Sequence, residues 1–186
     1  MTARKAPKAR SAPAPLDLLR LDQQLCFPLY AASRLVTRLY QPLLEPMGLT
    51  YPQYVVLLIL WEDAPCSVSH VGERALLSSN TLTPLLKRLE MLGYLRRTRS
   101  PEDERVVVIA LTEAGRALRS TCACIPLDLL TSSRYPPEKA LSLKRQVDDL
   151  VAHLREVLGG GRRRGLMAYP ARAPHPAPGA NARAHR

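Results

Sequence analysis

The sequence predicts a mainly α-helical fold carrying one small β-hairpin. Three observations predict it. Apolar residues recur at threes and fours through most of residues 15–158. One pair of strand-like runs, LRRTR and RVVVIAL, is separated by the polar stretch Ser-Pro-Glu-Asp-Glu. Both ends are rich in Pro, Ala and Arg and poor in large apolar residues, so residues 1–14 and 159–186 are expected to be disordered basic tails. With 186 residues, 46% of them hydrophobic, the chain can bury one ordinary core.

Taken in order, residues 16–48 read as a long helix whose stripe is Leu25, Leu29, Ala32, Leu35, Val36, Leu39 and Leu43. Pro28 removes one backbone donor inside it, which predicts a kink or a helix restart near Cys26 to Pro28. Thr50 caps a second helix, TYPQYVVLLILWE, with Pro52 in its first turn; its nearly continuous apolar content marks it as central core. After a turn at Asp63-Ala64-Pro65, Ser69 can start a short helix through Arg74. Leu76 to Ser78 make a turn, and Ser79 or Asn80 caps a further helix that Gly93 ends. Leu82, Leu85, Leu86 and Leu89 face inward there, leaving an amphipathic, basic second helix, the pattern of a helix-turn-helix. The hairpin follows at once, which is the order of a winged helix. From Thr112 a helix runs towards Ile125 and meets Pro126, and a last helix starts at Pro136-Pro137. That makes six helices and one small sheet, with the DNA-binding part at about residues 50–112.

The first helix and the last two present more apolar stripe than one small winged helix can cover. A two-fold interface built from the N- and C-terminal helices would bury it, and two-fold symmetry suits a pseudo-palindromic operator with half-sites ~34 Å apart. A monomeric bundle packed on itself is the alternative.

Charge is concentrated at the ends. The formal net charge is +11, and ten of those charges lie in the acid-free tails, so the interior is close to neutral. Within the interior, residues 79–99 gather five basic groups against one acid. Ser79, Asn80, Thr81 and Thr83 are short polar side chains suited to base edges, while Lys87 and Arg88 suit phosphates; Arg96, Arg97 and Arg99 either add backbone contacts or only solvate the strand face. At the hairpin tip, Asp103 is expected to hold the Arg105 side chain extended by a charge-assisted hydrogen bond, aimed at the minor groove; an ordinary surface ion pair is the plainer reading.

No segment reaches the ~18–20 apolar residues of a membrane span, and no secretory signal is evident, so a cytoplasmic protein is expected. Cys26, Cys66, Cys122 and Cys124 lack structural-zinc spacing. His70, His153, His175 and His185 are scattered, and neither a phosphate-binding glycine loop nor a carboxylate dyad occurs. No metal, cofactor or catalytic residue is assigned.

DERVVVIALTEAG resembles the wing signature of the MarR family of winged-helix repressors. LDQQLCFPLYAASRLVTRLYQPLLEPMGLTYPQYVVLLILWE resembles its OhrR branch, the organic-hydroperoxide-sensing repressors, and SSNTLTPLLKRLEMLGYLRR and SPEDER continue the likeness over residues 16–158. The resemblance implies a homodimer that represses a peroxide-detoxifying gene and releases its operator when a thiol is oxidised by an organic hydroperoxide. It makes Cys26 the sensing thiol, likens Tyr40 and Tyr51 to tyrosines that contact it across the dimer, and matches Tyr30 to a further tyrosine. The chemistry agrees: the thiolate is the nucleophile, a helix start and phenolic donors favour it, and Leu25, Phe27 and Leu29 suit a greasy peroxide.

Two departures from the branch stand out. Pro28 replaces a helix-compatible residue. Branch members that close a disulfide between subunits keep the partner cysteine a few residues after the Ile-Pro of the fifth helix, and Leu127 to Ser132 contain none. Cys122 or Cys124 could be a displaced resolving thiol, or both could be core; Cys66 reads as packing. Two alternatives remain: a ligand-responsive MarR-type regulator in which Cys26 is incidental, and a thiol peroxidase, which would leave the helix-turn-helix unexplained.

Overall fold

The computed structural model describes residues 19–160. Most of both expected tails therefore lies outside the described residues. Seven α-helices and a three-stranded antiparallel sheet are present among them, and the chain divides into two compact units, one ending at Arg134 and one beginning at Tyr135.

In the first unit, α1 spans Cys26–Leu44, after a 3₁₀ turn at Leu21–Gln23. The expected interruption is thus a restart. Pro28 is the third residue of α1, within the first turn, where a helix has no intrahelical use for the missing N–H. After a 3₁₀ turn at Glu45–Met47, Gly48 takes a left-handed φ of 66°. α2, Tyr51–Asp63, starts as expected at Thr50, whose N–H donates to the Gln53 side-chain oxygen at 2.8 Å, half of a capping box. It is the central helix: Tyr54, Val56, Leu57, Ile59 and Leu60 are buried on it.

α3, Val68–Ala75, begins one residue earlier than expected, because Ser67 rather than Ser69 accepts the first free N–H, that of His70 at 3.1 Å. Likewise Ser78, not Ser79 or Asn80, is the residue before α4, Ser79–Met91. α4 buries Leu82, Leu86 and Leu89 against the core and keeps Leu85 half-buried. It closes at Gly93, φ 77°, where the Tyr94 and Gly93 N–H groups donate to the Leu89 and Glu90 carbonyls.

The sheet runs β1 (Cys66–Ser67), β3 (Val107–Leu111), β2 (Leu95–Arg99), with β2 paired to β3 from Leu95↔Leu111 to Arg99↔Val107. β2 matches the LRRTR reading; β1 was not anticipated, being only two residues long. α5, Glu113–Thr121, is capped by the Thr112 hydroxyl, which accepts from the Gly115 N–H at 3.0 Å and donates to the Gly93 carbonyl at 2.6 Å. The expectation that this segment simply meets Pro126 and stops is corrected. A 3₁₀ turn at Cys122–Cys124 leads directly into α6, Ile125–Ser133, with Pro126 in its first turn, where proline starts helices as readily as it ends them.

The second unit contains α7, Pro137–Gly160, which begins at the proline pair as expected. Leu141, Leu143, Leu154, Val157 and Leu158 are exposed on it. No single helix among the described residues is long and apolar enough to cross a membrane.

Candidate nucleic-acid interface and sensing thiol

α3, its turn and α4 form the helix-turn-helix, and the β2–β3 hairpin is the wing. Leu76 turns the chain with φ 56°, and the Leu77 N–H closes the turn on the Gly72 carbonyl at 2.9 Å. An ion-pair cluster fastens α3 to the end of α2: the Arg74 guanidinium donates to Asp63 at 2.6 Å and Glu62 at 2.9 Å, and His70 meets Asp63 at 2.6 Å. These neighbours, His70 before Arg74, hold the Asp63 carboxyl below the usual carboxylate range.

Ser79, Asn80 and Thr81 are exposed at the start of α4. Thr83 is half-buried and its hydroxyl donates back to the Ser79 carbonyl at 2.7 Å. Lys87 and Arg88 are exposed further along α4, as are Arg96 and Arg99 on β2, and no ion pair among the described residues engages them. Arg97 is different. Its guanidinium is bound by Glu90, which also accepts the Arg97 backbone N–H at 3.0 Å. The pair cancels internally, so the local excess of positive charge rests on Lys87, Arg88, Arg96 and Arg99, and Arg97 is the one β2 arginine among the described residues held in an ion pair.

The tip of the wing also departs from expectation. Asp103 Oδ1 accepts the backbone N–H of Arg105 at 3.0 Å, and the Val106 N–H donates to the Asp103 carbonyl at 2.9 Å. Residues 103–105 form a turn rather than strand, because the short aspartate side chain reaches the amide two residues on more readily than the guanidinium. Asp103 shapes the loop that carries Arg105, and the guanidinium is exposed. The Arg105 side chain lines a cleft of about 380 Å³ together with Ser67, Ser69 and Thr83.

Cys26 is the first residue of α1 and is exposed; its thiol donates to Gln24 Oε1 at 3.6 Å. Leu25, Phe27, Leu29 and Tyr30 around it are exposed too, 38–69% of their surface open, so the apolar surround is a bare patch within one chain. Tyr40 and Tyr51 are brought together: their ring centroids are 4.8 Å apart, tilted by 46°, and Tyr54 lies 5.7 Å from Tyr40. Burial, then the neighbouring Tyr51, pushes the Tyr40 phenol up, and burial with several phenol and thiol neighbours pushes Tyr54 up to about 12. Neither phenol of the pair reaches Cys26 within the chain. Tyr40 follows Cys26 by fourteen residues on the same helix, a separation of about 21 Å at 1.5 Å per residue.

The two displaced cysteines part company. Cys122 is buried, its thiol donating to Met47 Sδ at 3.5 Å, and burial ahead of the Cys124 neighbour pushes its pKa up, so it is a core residue. Cys124 is exposed on the 3₁₀ turn. Cys66 is half-buried and its pKa is raised chiefly by burial, in keeping with packing. Tyr54 was overlooked in the sequence because a tyrosine within a continuous apolar run reads as core.

Residues 38–121 match the family model of the transcriptional regulator SarA/Rot. The chain is 45% identical over 140 residues to the organic hydroperoxide resistance transcriptional regulator of Bacillus subtilis (strain 168), covering 75% of this chain and 95% of that relative. It is similar to the solved structure of reduced AbfR bound to DNA, with 38% identity, a TM-score of 0.60, and 72% and 94% of the two chains covered. It is also similar to disulfide-formed AbfR, with 39% identity, a TM-score of 0.51, and coverage of 70% and 92%. The Bacillus relative is named as a transcriptional regulator, and the reduced AbfR structure is a DNA complex. With its helix-turn-helix, wing and N-terminal thiol, the chain belongs to the MarR family of winged-helix transcriptional regulators, in its organic-hydroperoxide-resistance branch.

Proposed function

We propose that this chain is a homodimeric repressor that binds a pseudo-palindromic operator and releases it when an organic hydroperoxide oxidises Cys26. The observation that carries the reading is the exposure of Cys26 at the start of α1 amid exposed apolar side chains, while Cys66 and Cys122 are half-buried and buried. Cys26 sits at the positive end of the helix dipole. In the reaction, the thiolate sulfur takes the terminal hydroxyl oxygen of the peroxide, the O–O bond breaks, and the departing alkoxide gains a proton to become an alcohol. The products are a sulfenic acid and that alcohol.

Two features support a second copy as part of the site. The separation along α1 keeps Tyr40, and Tyr51 stacked on it, from Cys26 of their own chain, so in this reading that pair meets the thiol of a partner. The exposed Leu35, Val36 and Leu39 of α1 supply an apolar face for that partner, and the exposed leucines of α7 are apolar surface of their own unit. Tyr30, one turn after Cys26, is available beside the thiol. Exposed Cys124 is the better resolving thiol of the two displaced cysteines.

On the DNA side, Ser79, Asn80, Thr81 and Thr83 read base edges. Lys87, Arg88 and Arg99 hold phosphates, and Arg105, on the loop shaped by Asp103, enters the minor groove. Within the described residues 19–160 the DNA-binding part is at about 50–112; the regulator acts in the cytoplasm.

Gel-shift titration before and after treatment with cumene hydroperoxide tests the reading. The wild type is expected to release operator DNA while Cys26→Ser stays bound. Equal release of both proteins would show that another group senses the oxidant.

A further inference from the structure

Gln24 joins the 3₁₀ turn at Leu21–Gln23 to α1, and its backbone is fixed on both sides. Its extended φ and ψ of −86° and 121° separate the two helical segments. Its N–H donates to the Leu21 carbonyl at 3.2 Å, and its carbonyl accepts the Phe27 N–H at 3.3 Å. Among residues 19–30 Gln24 is half-buried while every other residue is exposed. Its side-chain Oε1 accepts the Cys26 thiol at 3.6 Å. Within its own chain, then, the sulfur is met by a polar group whose place the backbone sets.

A carboxamide suits that place in both protonation states of the thiol. Its oxygen accepts the S–H. Half a turn about its last bond, a torsion with broad two-fold preference, brings Nε2 to the same point, where it donates to the thiolate. A hydrogen bond to the charged form favours that form. A carboxylate of the same length serves only the thiol, and a side chain without polar hydrogen serves the thiolate not at all.

We propose that Gln24 is the positioning residue of Cys26: it holds the sulfur at the start of α1 in both forms and sets how much reactive thiolate is present near neutral pH. The inference deepens the redox reading and rests on it for its consequence, the rate at which a hydroperoxide is consumed. It gives the thiol a partner from its own chain, beside the phenols that the reading brings from a second copy.

The test is the pH profile of Cys26 alkylation by iodoacetamide, followed by mass spectrometry of the Cys26 peptide in the full chain. Wild type, Gln24→Met and Gln24→Glu are compared, the side chains being of similar length. The pH of half-maximal rate is expected to rise by about one unit in Gln24→Met, the worth of one hydrogen bond to a charged group. In Gln24→Glu it should rise by about two units, because a carboxylate keeps the thiol proton and repels the thiolate. The thermal midpoint should change little in either variant. A part in packing alone would move the thermal midpoint and leave the pH midpoint in place, and that result overturns the proposal. So does a shift in Gln24→Glu alone, which shows a charge near the sulfur but no amide holding it. Oxidation of Cys26 by cumene hydroperoxide at pH 7 should slow about threefold in Gln24→Met, the loss of thiolate being offset in part by its greater nucleophilicity. If this peroxide leaves wild-type Cys26 unoxidised while the alkylation midpoints move as expected, the redox reading fails and the role of Gln24 stands.

Discussion

The ring of Tyr40 lies 4.8 Å from the ring of Tyr51, so a residue late in α1 and the first residue of α2 present two phenols side by side. Cys26 begins the helix that Tyr40 nearly ends. At about 21 Å along the helix, the Tyr40 phenol cannot touch the thiol of its own chain.

Replacing Tyr40 and Tyr51 together by Phe should slow oxidation of Cys26 by cumene hydroperoxide about tenfold or more, since a hydrogen bond to a charged group is worth about 1.5–3 kcal/mol. Both rings remain, so the packing and the thermal midpoint should change little. A rate unchanged in stopped-flow measurements would remove the phenols from the mechanism.

Gly115 is predicted to be intolerant of any side chain. A Cβ there would lie 1.9 Å from the Tyr94 carbonyl oxygen, which also accepts the Thr112 N–H at 3.1 Å. The Gly115 carbonyl in turn accepts the Trp61 indole N–H at 2.8 Å, tying α5 to α2. Gly115→Ala should lower stability by about 1–3 kcal/mol in urea denaturation. A neutral outcome would mean that α5 can shift away from Tyr94 freely.

Salt dependence should separate free from engaged cations. Lys87→Ala and Arg88→Ala are each expected to reduce the slope of log affinity against log salt by about 1. Arg97→Ala should leave the slope nearly unchanged, because Glu90 holds that guanidinium. A loss of slope for Arg97→Ala equal to that for Lys87→Ala would return Arg97 to the phosphate contacts.

The same pair has a pH signature. The Arg97 guanidinium holds the Glu90 carboxyl below its ordinary range. With the folded value depressed, the stabilisation is present above the unfolded glutamate pKa and is lost as pH falls through the folded one. The pair is partly exposed, so Glu90→Gln should lower stability by only about 0.5 kcal/mol near pH 7 and by nothing measurable once wild-type Glu90 is protonated. A penalty persisting in acid would point to packing instead.

What could be read in advance was whatever local chemistry decides. Thr50, Thr112 and Gly93 mark helix ends through their own backbone bonds, and the β2–β3 hairpin is bounded by a polar tip, so these elements were legible. Pro126 was read as a stop because proline is compatible with both the end and the first turn of a helix, and only the path of the chain decides between them. β1 escaped notice because Cys66 and Ser67 become a strand solely by pairing with Ile109 and Val108, distant in sequence. For the same reason Arg97 looked free, since its partner Glu90 lies across a turn, and Asp103 looked like a salt-bridge partner until the tip proved to be a turn. Cys26, Tyr40 and Tyr51 take their roles from the resemblance, while the stacking of Tyr40 on Tyr51 comes only from the fold.

The most direct measurement uses mixed dimers in which one chain carries Cys26→Ser and the other keeps its thiol, with Tyr40→Phe/Tyr51→Phe placed in one chain or the other. When the phenylalanines lie opposite the thiol, Cys26 should be oxidised about tenfold more slowly; when they lie in the thiol's own chain, it should react at the wild-type rate. Slowing that follows the substitutions within the thiol's own chain would contradict a sensing site shared between two copies.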